Sequence, residues 1–191
     1  LKEVGATQTV YIRGINDYPL TKIDKEGSTI DSSYYIYGPT GLIAIDKLDT
    51  VYYMIKDYQN SVRAVIDENN DVVTGYDYYP FGKELRSTGN NEIIEYRYTG
   101  QEYDEEVGLY NYRARMYDQE LGRFLAPDPK MEFPSPYTFV GNNPIMYVDP
   151  DGEGWRNAGI GAVIGAIIGA VVAVAAVALT TGIVGLITMG V

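Results

Sequence analysis

The sequence predicts a mainly β chain of antiparallel hairpins followed by an apolar helical segment. Three observations predict it. Short runs rich in Tyr and β-branched residues recur between Leu1 and Asn157. Clusters of Gly, Asn, Asp and Pro separate those runs. From Gly159 to Val191 the chain then carries no charge for 33 residues.

The strand signals are Val10-Tyr11-Ile12, Tyr34-Tyr35-Ile36-Tyr37, Val51-Tyr52-Tyr53-Met54-Ile55 and Val62-Arg63-Ala64-Val65-Ile66. Such side chains suit a pleated, half-buried surface. Turn chemistry predicts hairpin turns at 38–41, 67–71 and 87–91. Residues 9–116 are therefore expected to be mainly antiparallel strand. No stretch before residue 157 sustains a helical period. A loose repeat runs through Tyr35-Ile36-Tyr37-Gly38, Tyr76-Asp77-Tyr78 and Tyr96-Arg97-Tyr98. Tyr53, Tyr76 and Tyr96 stand about 20 residues apart, the spacing of stacked repeat units. A lone hairpin cannot bury its own face, so stacking is expected to bury it. Tyrosine brings an apolar ring for that face and a hydroxyl for its wet side. Packing is its expected role. A carbohydrate platform is the alternative, and no ring is singled out for it.

Composition narrows the chemistry. The chain of 191 residues carries 26 Asp and Glu against 15 Lys and Arg, a net charge of -11. That balance argues against a nucleic-acid partner, which needs clustered basic residues. The absence of Cys and His removes disulfides, thiolate metal sites, the usual zinc sites and histidine-based triads. No cofactor is expected. Asp67-Glu68-Asn69-Asn70-Asp71 lacks the Gly and terminal Glu of an EF-hand loop, so it reads as a hairpin turn. No initiator Met or apolar leader opens the sequence, and the expectation is a piece of a longer chain.

The stretch from Tyr76 to Gly152 is the most specific part. It reads YDYYPFGKE, then YRYTGQEYDEEVGLYNYRARMYDQELGRFLAPDP, then YTFVGNNPIMYVDPDG. It resembles the core that ends the shell of Rhs-repeat (YD-repeat) proteins, a family that includes the C subunits of insecticidal Tc toxins. The resemblance implies antiparallel β-hairpin repeats that form the end of a hollow cocoon. It divides the chain into YD-type repeats at 1–75, a repeat-associated core at 76–157 and a glycine-rich segment at 158–191. It also implies that the polypeptide after the core is an effector held inside the shell. In several members the core is an aspartyl autoprotease that cuts once, just past its last Asp-Pro-x-Gly motif.

On that resemblance, Asp128-Pro129 and Asp149-Pro150, 21 residues apart, match the two Asp-Pro elements. Arg115, 13 residues before Asp128, matches the upstream arginine. Peptide hydrolysis by carboxylates needs one base and one acid, and close carboxylates share a proton. An arginine keeps one ionised or steadies the oxyanion. Against this, Asp149-Pro150-Asp151-Gly152 is also a good type I turn. The expected cleavage region is Gly152, Glu153, Gly154 and Trp155. Members that cut often carry Leu where Glu153 stands, which leaves two outcomes open: a shifted cut or none.

The charge-free tail exceeds the roughly 20 residues a spanning helix needs. Gly161, Gly165 and Gly169 fall at four-residue intervals, a small-residue stripe of the kind that packs membrane helices. The expectation is a helix at 159–179 and a membrane partner through residues 159–191. Two functions follow. The first is a secreted or envelope-associated delivery module whose partners are its own C-terminal effector, an immunity protein and secretion machinery. The second is a membrane-anchored surface protein whose repeats bind cells or glycans without catalysis.

Overall fold

The computed structural model describes residues 2–4, 7–14, 18–39, 41–91 and 93–157. The expected helix at 159–179 and the stripe Gly161, Gly165, Gly169 lie outside them. Among the described residues no helix is long and apolar enough to cross a membrane.

The described chain is mainly antiparallel β. Nine strands form one meander in which each pairs with the next: β1 (Lys2–Val4), β2 (Thr7–Arg13), β3 (Pro19–Glu26), β4 (Thr29–Gly38), β5 (Gly41–Lys47), β6 (Thr50–Lys56), β7 (Val62–Ile66), β8 (Val72–Tyr78) and β9 (Glu84–Gly89). A second sheet holds β10 (Glu102–Asp104), β11 (Leu109–Asn111), β12 (Met116–Asp118) and β13 (Arg123–Phe124). Finally, β14 (Tyr147–Val148) pairs with β15 (Arg156–Asn157). The residue 75/76 boundary falls inside β8, and the large sheet continues to Gly89.

The turns at 38–41 and 67–71 form as expected. Gly38 pairs with Gly41. Asp67 Oδ1 accepts the amides of Asn69 at 2.8 Å and Asp71 at 3.0 Å, an Asx turn built by its own side chain. The third turn is displaced. Ser87 and Thr88 pair with Tyr76 and Gly75 in β9, so the chain turns only after Gly89. Pairing along β8 overrides the local turn preference of Ser, Thr and Gly there.

The inner face of the large sheet is not closed by hairpins stacking on one another. The segment Ile94–Tyr96 lies across it and packs with Tyr35, Leu42, Ile45, Val62, Val65 and Tyr76. The repeat equivalence also fails at Tyr53. Tyr76 and Tyr96 are buried, whereas Tyr53 is exposed on the outer face. Strand alternation accounts for this: Tyr53 pairs with Ala44 and Ile66 in regular register, while its neighbours Tyr52 and Met54 pack against the core.

Tyr98 begins a second core with Tyr110, Tyr112, Tyr117, Phe124, Phe139 and Val140. Three of its hydroxyls reach consecutive carbonyls of one turn. Tyr98 donates to Pro80 at 2.7 Å, Tyr117 to Phe81 at 2.8 Å and Tyr110 to Gly82 at 3.5 Å. This docks the β8–β9 turn on the core. Burial pushes these hydroxyls well above the usual tyrosine range, so they stay protonated donors. Arg97 joins the two sheets, its guanidinium 5.3 Å from the Tyr76 ring and 4.8 Å from the Tyr103 ring.

Gly82 is the tightest point of the docked turn. Its φ is +84° and any Cβ would collide with the Tyr98 ring. Gly82→Ala is expected to cost about 2–4 kcal/mol through combined backbone strain and overpacking. Urea unfolding checks this, and an unchanged midpoint would show that the turn yields freely.

Candidate functional site

Arg115 sits at the entry to β12, after a tight turn in which the Tyr112 amide donates to the Arg115 carbonyl at 3.0 Å. Its side chain runs inward over the Phe124 ring, with 3.7 Å between guanidinium carbon and ring centroid. Asp128 follows β13 and Asp149 follows β14. All three side chains are buried, Asp149 with only 2 % of its surface exposed. The fold thus brings together the three residues singled out in the sequence.

The guanidinium addresses three groups at once. Nη2 is 3.1 Å from Asp149 Oδ2, and Nη1 is 3.8 Å from Asp128 Oδ2. Nε donates to the Gly152 carbonyl at 2.5 Å. Nη1 is buried without a hydrogen-bond partner of its own. Since a buried ion needs close compensation, the two carboxylates explain how Arg115 tolerates its position.

Each aspartate also builds a turn. Asp149 Oδ1 accepts the amides of Gly152 at 2.7 Å, Asp151 at 3.3 Å and Gly154 at 3.4 Å. Asp128 Oδ1 accepts the Lys130 amide at 2.8 Å. The turn reading and the close grouping therefore coexist. Burial raises the Asp149 pKa and outweighs the opposing pull of these amides and of Arg115.

The second Asp-Pro turn is held from several sides. The Pro150 carbonyl accepts Gln101 Nε2 at 3.0 Å and also the Arg113 guanidinium. The Ala114 amide donates to Asp151 at 3.2 Å. Gly152 has φ +77°, and a Cβ there would stand 2.6 Å from the Tyr112 carbonyl oxygen. Gln101 and Arg113 were not legible as site residues, because nothing separates them from ordinary polar surface in the sequence. The Gly152 carbonyl was equally hidden, since backbone groups carry no signature.

The two turns differ at their fourth residue. Met131 holds the place corresponding to Gly152, with φ +49°, and is exposed. Beyond the second turn, Glu153 and Trp155 are exposed, Gly154 lies beside Glu132, and β15 returns the chain to β14.

A meandering Tyr-rich sheet that leads into a second, tyrosine-packed core is the architecture of a YD-repeat shell. The profile of the teneurin YD-shell family matches residues 7–145, and the chain belongs to that family, as an Rhs/YD-repeat protein. It is 42% identical over 140 residues to salivary gland surface protein 1 of Aedes aegypti, covering 72% of this chain and 4% of that protein. It is 35% identical over 127 residues to tRNA nuclease WapA of Bacillus subtilis (strain 168), covering 62% of this chain and 5% of that protein. The chain therefore spans about one twentieth of the curated relatives it matches. Among solved structures, the TcdB2-TccC3-Cdc42 crystal structure shares the fold with a TM-score of 0.62 and 23% identity, over 71% of this chain and 7% of that one. TcdB2-TccC3 without its hypervariable C-terminal region gives a TM-score of 0.61 at 21% identity, over 76% of this chain and 8% of that one.

Two outcomes check this geometry. An L-residue at positive φ costs about 1–2 kcal/mol and glycine about 0.5–1 kcal/mol through the unfolded chain, so Met131→Gly is expected to stabilise by about 0.5–1 kcal/mol. The urea midpoint measures it. Asp149 has a native pKa above its unfolded value. Its contribution to stability is fully present below about pH 3.9 and is lost as pH rises through the native value. Asp149→Asn is expected to remove that part of the pH slope, read from urea midpoints across the acidic range.

Proposed function

We propose that this chain closes a YD-repeat shell and cuts itself once, at the Gly152–Glu153 bond, freeing the segment that begins at Glu153 as the shell's cargo. One observation carries this reading. Arg115 contacts the Asp149 carboxyl, faces Asp128 and donates Nε–H to the Gly152 carbonyl, the one just past the second Asp-Pro motif.

The step follows from that arrangement. Asp128 takes a proton from water as the water oxygen attacks the Gly152 carbonyl carbon. Arg115 stabilises the charge that develops on the carbonyl oxygen. Asp149 lies under the amides on either side of Glu153, at Gly152 and Gly154. It donates its proton to the Glu153 nitrogen as the carbon–nitrogen bond breaks. The products are a Gly152 carboxyl and a Glu153 amine. Because both carboxyls and the scissile bond share one chain, the cut is first-order and survives dilution.

The relatives suggest what the shell is for. The WapA proteins are named as tRNA nucleases, and TccC3 has a hypervariable C-terminal region. By analogy, the released segment is an effector of a secreted, polymorphic-toxin-like protein, and the charge-free tail gives it a membrane partner. An immunity protein and secretion machinery complete this reading. The resemblance to an insect salivary gland surface protein favours a second reading, a surface-displayed β-repeat protein that does not cut.

Intact-mass measurement of the purified chain separates the two. Self-cleavage is expected to give two masses that meet at Gly152–Glu153 and co-elute. Asp128→Asn and Asp149→Asn are each expected to give one full-length mass and to keep a cooperative thermal transition, at a lower midpoint because Arg115 loses a counter-charge. A single full-length mass for the wild type would remove the cleavage reading and leave surface display.

A further inference from the structure

The proposed scissile bond is followed by a charged residue, and the structure gives that residue a partner. Glu153 Oε2 lies 3.5 Å from Lys130 Nζ. Lys130 is two residues past Asp128, and its amide already binds Asp128 Oδ1 at 2.8 Å. The same loop makes two further contacts downstream. The Trp155 amide donates to Glu132 Oε2 at 3.3 Å. The Phe133 ring lies 6.5 Å from the Trp155 ring, and the Tyr147 ring lies 4.6 Å from it, edge-on.

This loop is itself anchored. A Cβ on Gly141 would stand 2.7 Å from the Phe133 ring, so Phe133 is seated directly on that glycine. Gly154 leaves room for Glu132, whose carboxylate would lie 3.2 Å from a Cβ there. Beyond Trp155, Arg156 and Asn157 pair with Val148 and Tyr147. The leaving strand is thus held at 153, 155 and 156–157 by groups adjoining both aspartate turns.

Resting on the cleavage reading above, we propose that Lys130, Glu132, Phe133 and Tyr147 form a register clamp. It accepts an acidic residue at 153 and an aromatic one at 155, and so sets which peptide carbonyl meets Arg115. Lys130 presents a cation at this position, which makes Glu153 the matched residue. These are positioning residues. They act through the placement of the strand and touch no reacting atom.

The test uses the full chain, with cleavage rate and cut position read by intact mass. Lys130→Glu is expected to slow the cut about fivefold, as the loss of an exposed ion pair and its replacement by repulsion would do. The swap Lys130→Glu with Glu153→Lys is expected to restore the rate. Trp155→Ala is expected to slow the cut and spread it over neighbouring bonds. A merely structural role would lower the rate without moving the cut. Unchanged rate and position in Lys130→Glu and Trp155→Ala would overturn the clamp while leaving the cleavage reading intact. If Trp155→Ala loses its thermal transition, the charge swap decides, and failure to rescue overturns the clamp. A wild type that does not cut overturns both.

Discussion

A tyrosine ring can enter a core only if its hydroxyl finds an acceptor there, and this requirement organises the molecule. Leaving one unmet costs about 1–3 kcal/mol. Here the acceptors are mostly backbone carbonyls. The turn after β8 presents three in succession to Tyr98, Tyr117 and Tyr110. Tyr78 reaches Val62 at 3.1 Å and Tyr37 reaches Pro19 at 2.8 Å. Tyr112, fully buried, shares a hydrogen bond of 2.7 Å with the Thr99 hydroxyl. Turns that would otherwise lie free in solvent are bound to the core. A β structure with short strands and many turns gains its rigidity in this way.

The Asp–Arg–Asp site depends on that scaffold. Tyr112 lies three residues before Arg115 and backs Gly152, so its backbone anchors both the arginine and the residue whose carbonyl the arginine binds. The geometry also explains why turn formation and chemistry are not rival readings. Asp149 uses one oxygen to cap its own turn and the other to meet the guanidinium. Removing either aspartate leaves Arg115 short of a counter-charge in a buried setting, where uncompensated charge is costly. Asparagine retains the cap and gives up only the charge and the proton.

Much of the fold was legible because its signals are local. Runs such as Tyr34–Tyr37 and Val62–Ile66 became strands, and Asp67–Asp71 became a turn closed by its own side chain. Two errors have a common source in pairing across the sheet. Ser87–Gly89 reads as turn in isolation but gains a partner along β8. Tyr53 reads as a repeat position, but the pairing of β6 turns Tyr52 and Met54 to the core in its place. At the site, the three side chains could be named from the motif alone. The Gly152 carbonyl, the Gln101 and Arg113 contacts to Pro150, and the Lys130 partner of Glu153 needed coordinates. They depend on backbone atoms or on distant segments meeting.

The chain has one tryptophan, and it lies just beyond the proposed cut, near the rings of Tyr147 and Phe133. Rings at these separations exchange excitation energy efficiently, so the indole collects light absorbed by the surrounding tyrosines. That coupling lasts only while the strand remains seated. On the cleavage reading proposed above, this pairing is an optical gauge of whether the strand beyond Gly152 has left. Emission fed through the tyrosines would fade and the indole spectrum would move toward that of free water, with no label added to the cargo.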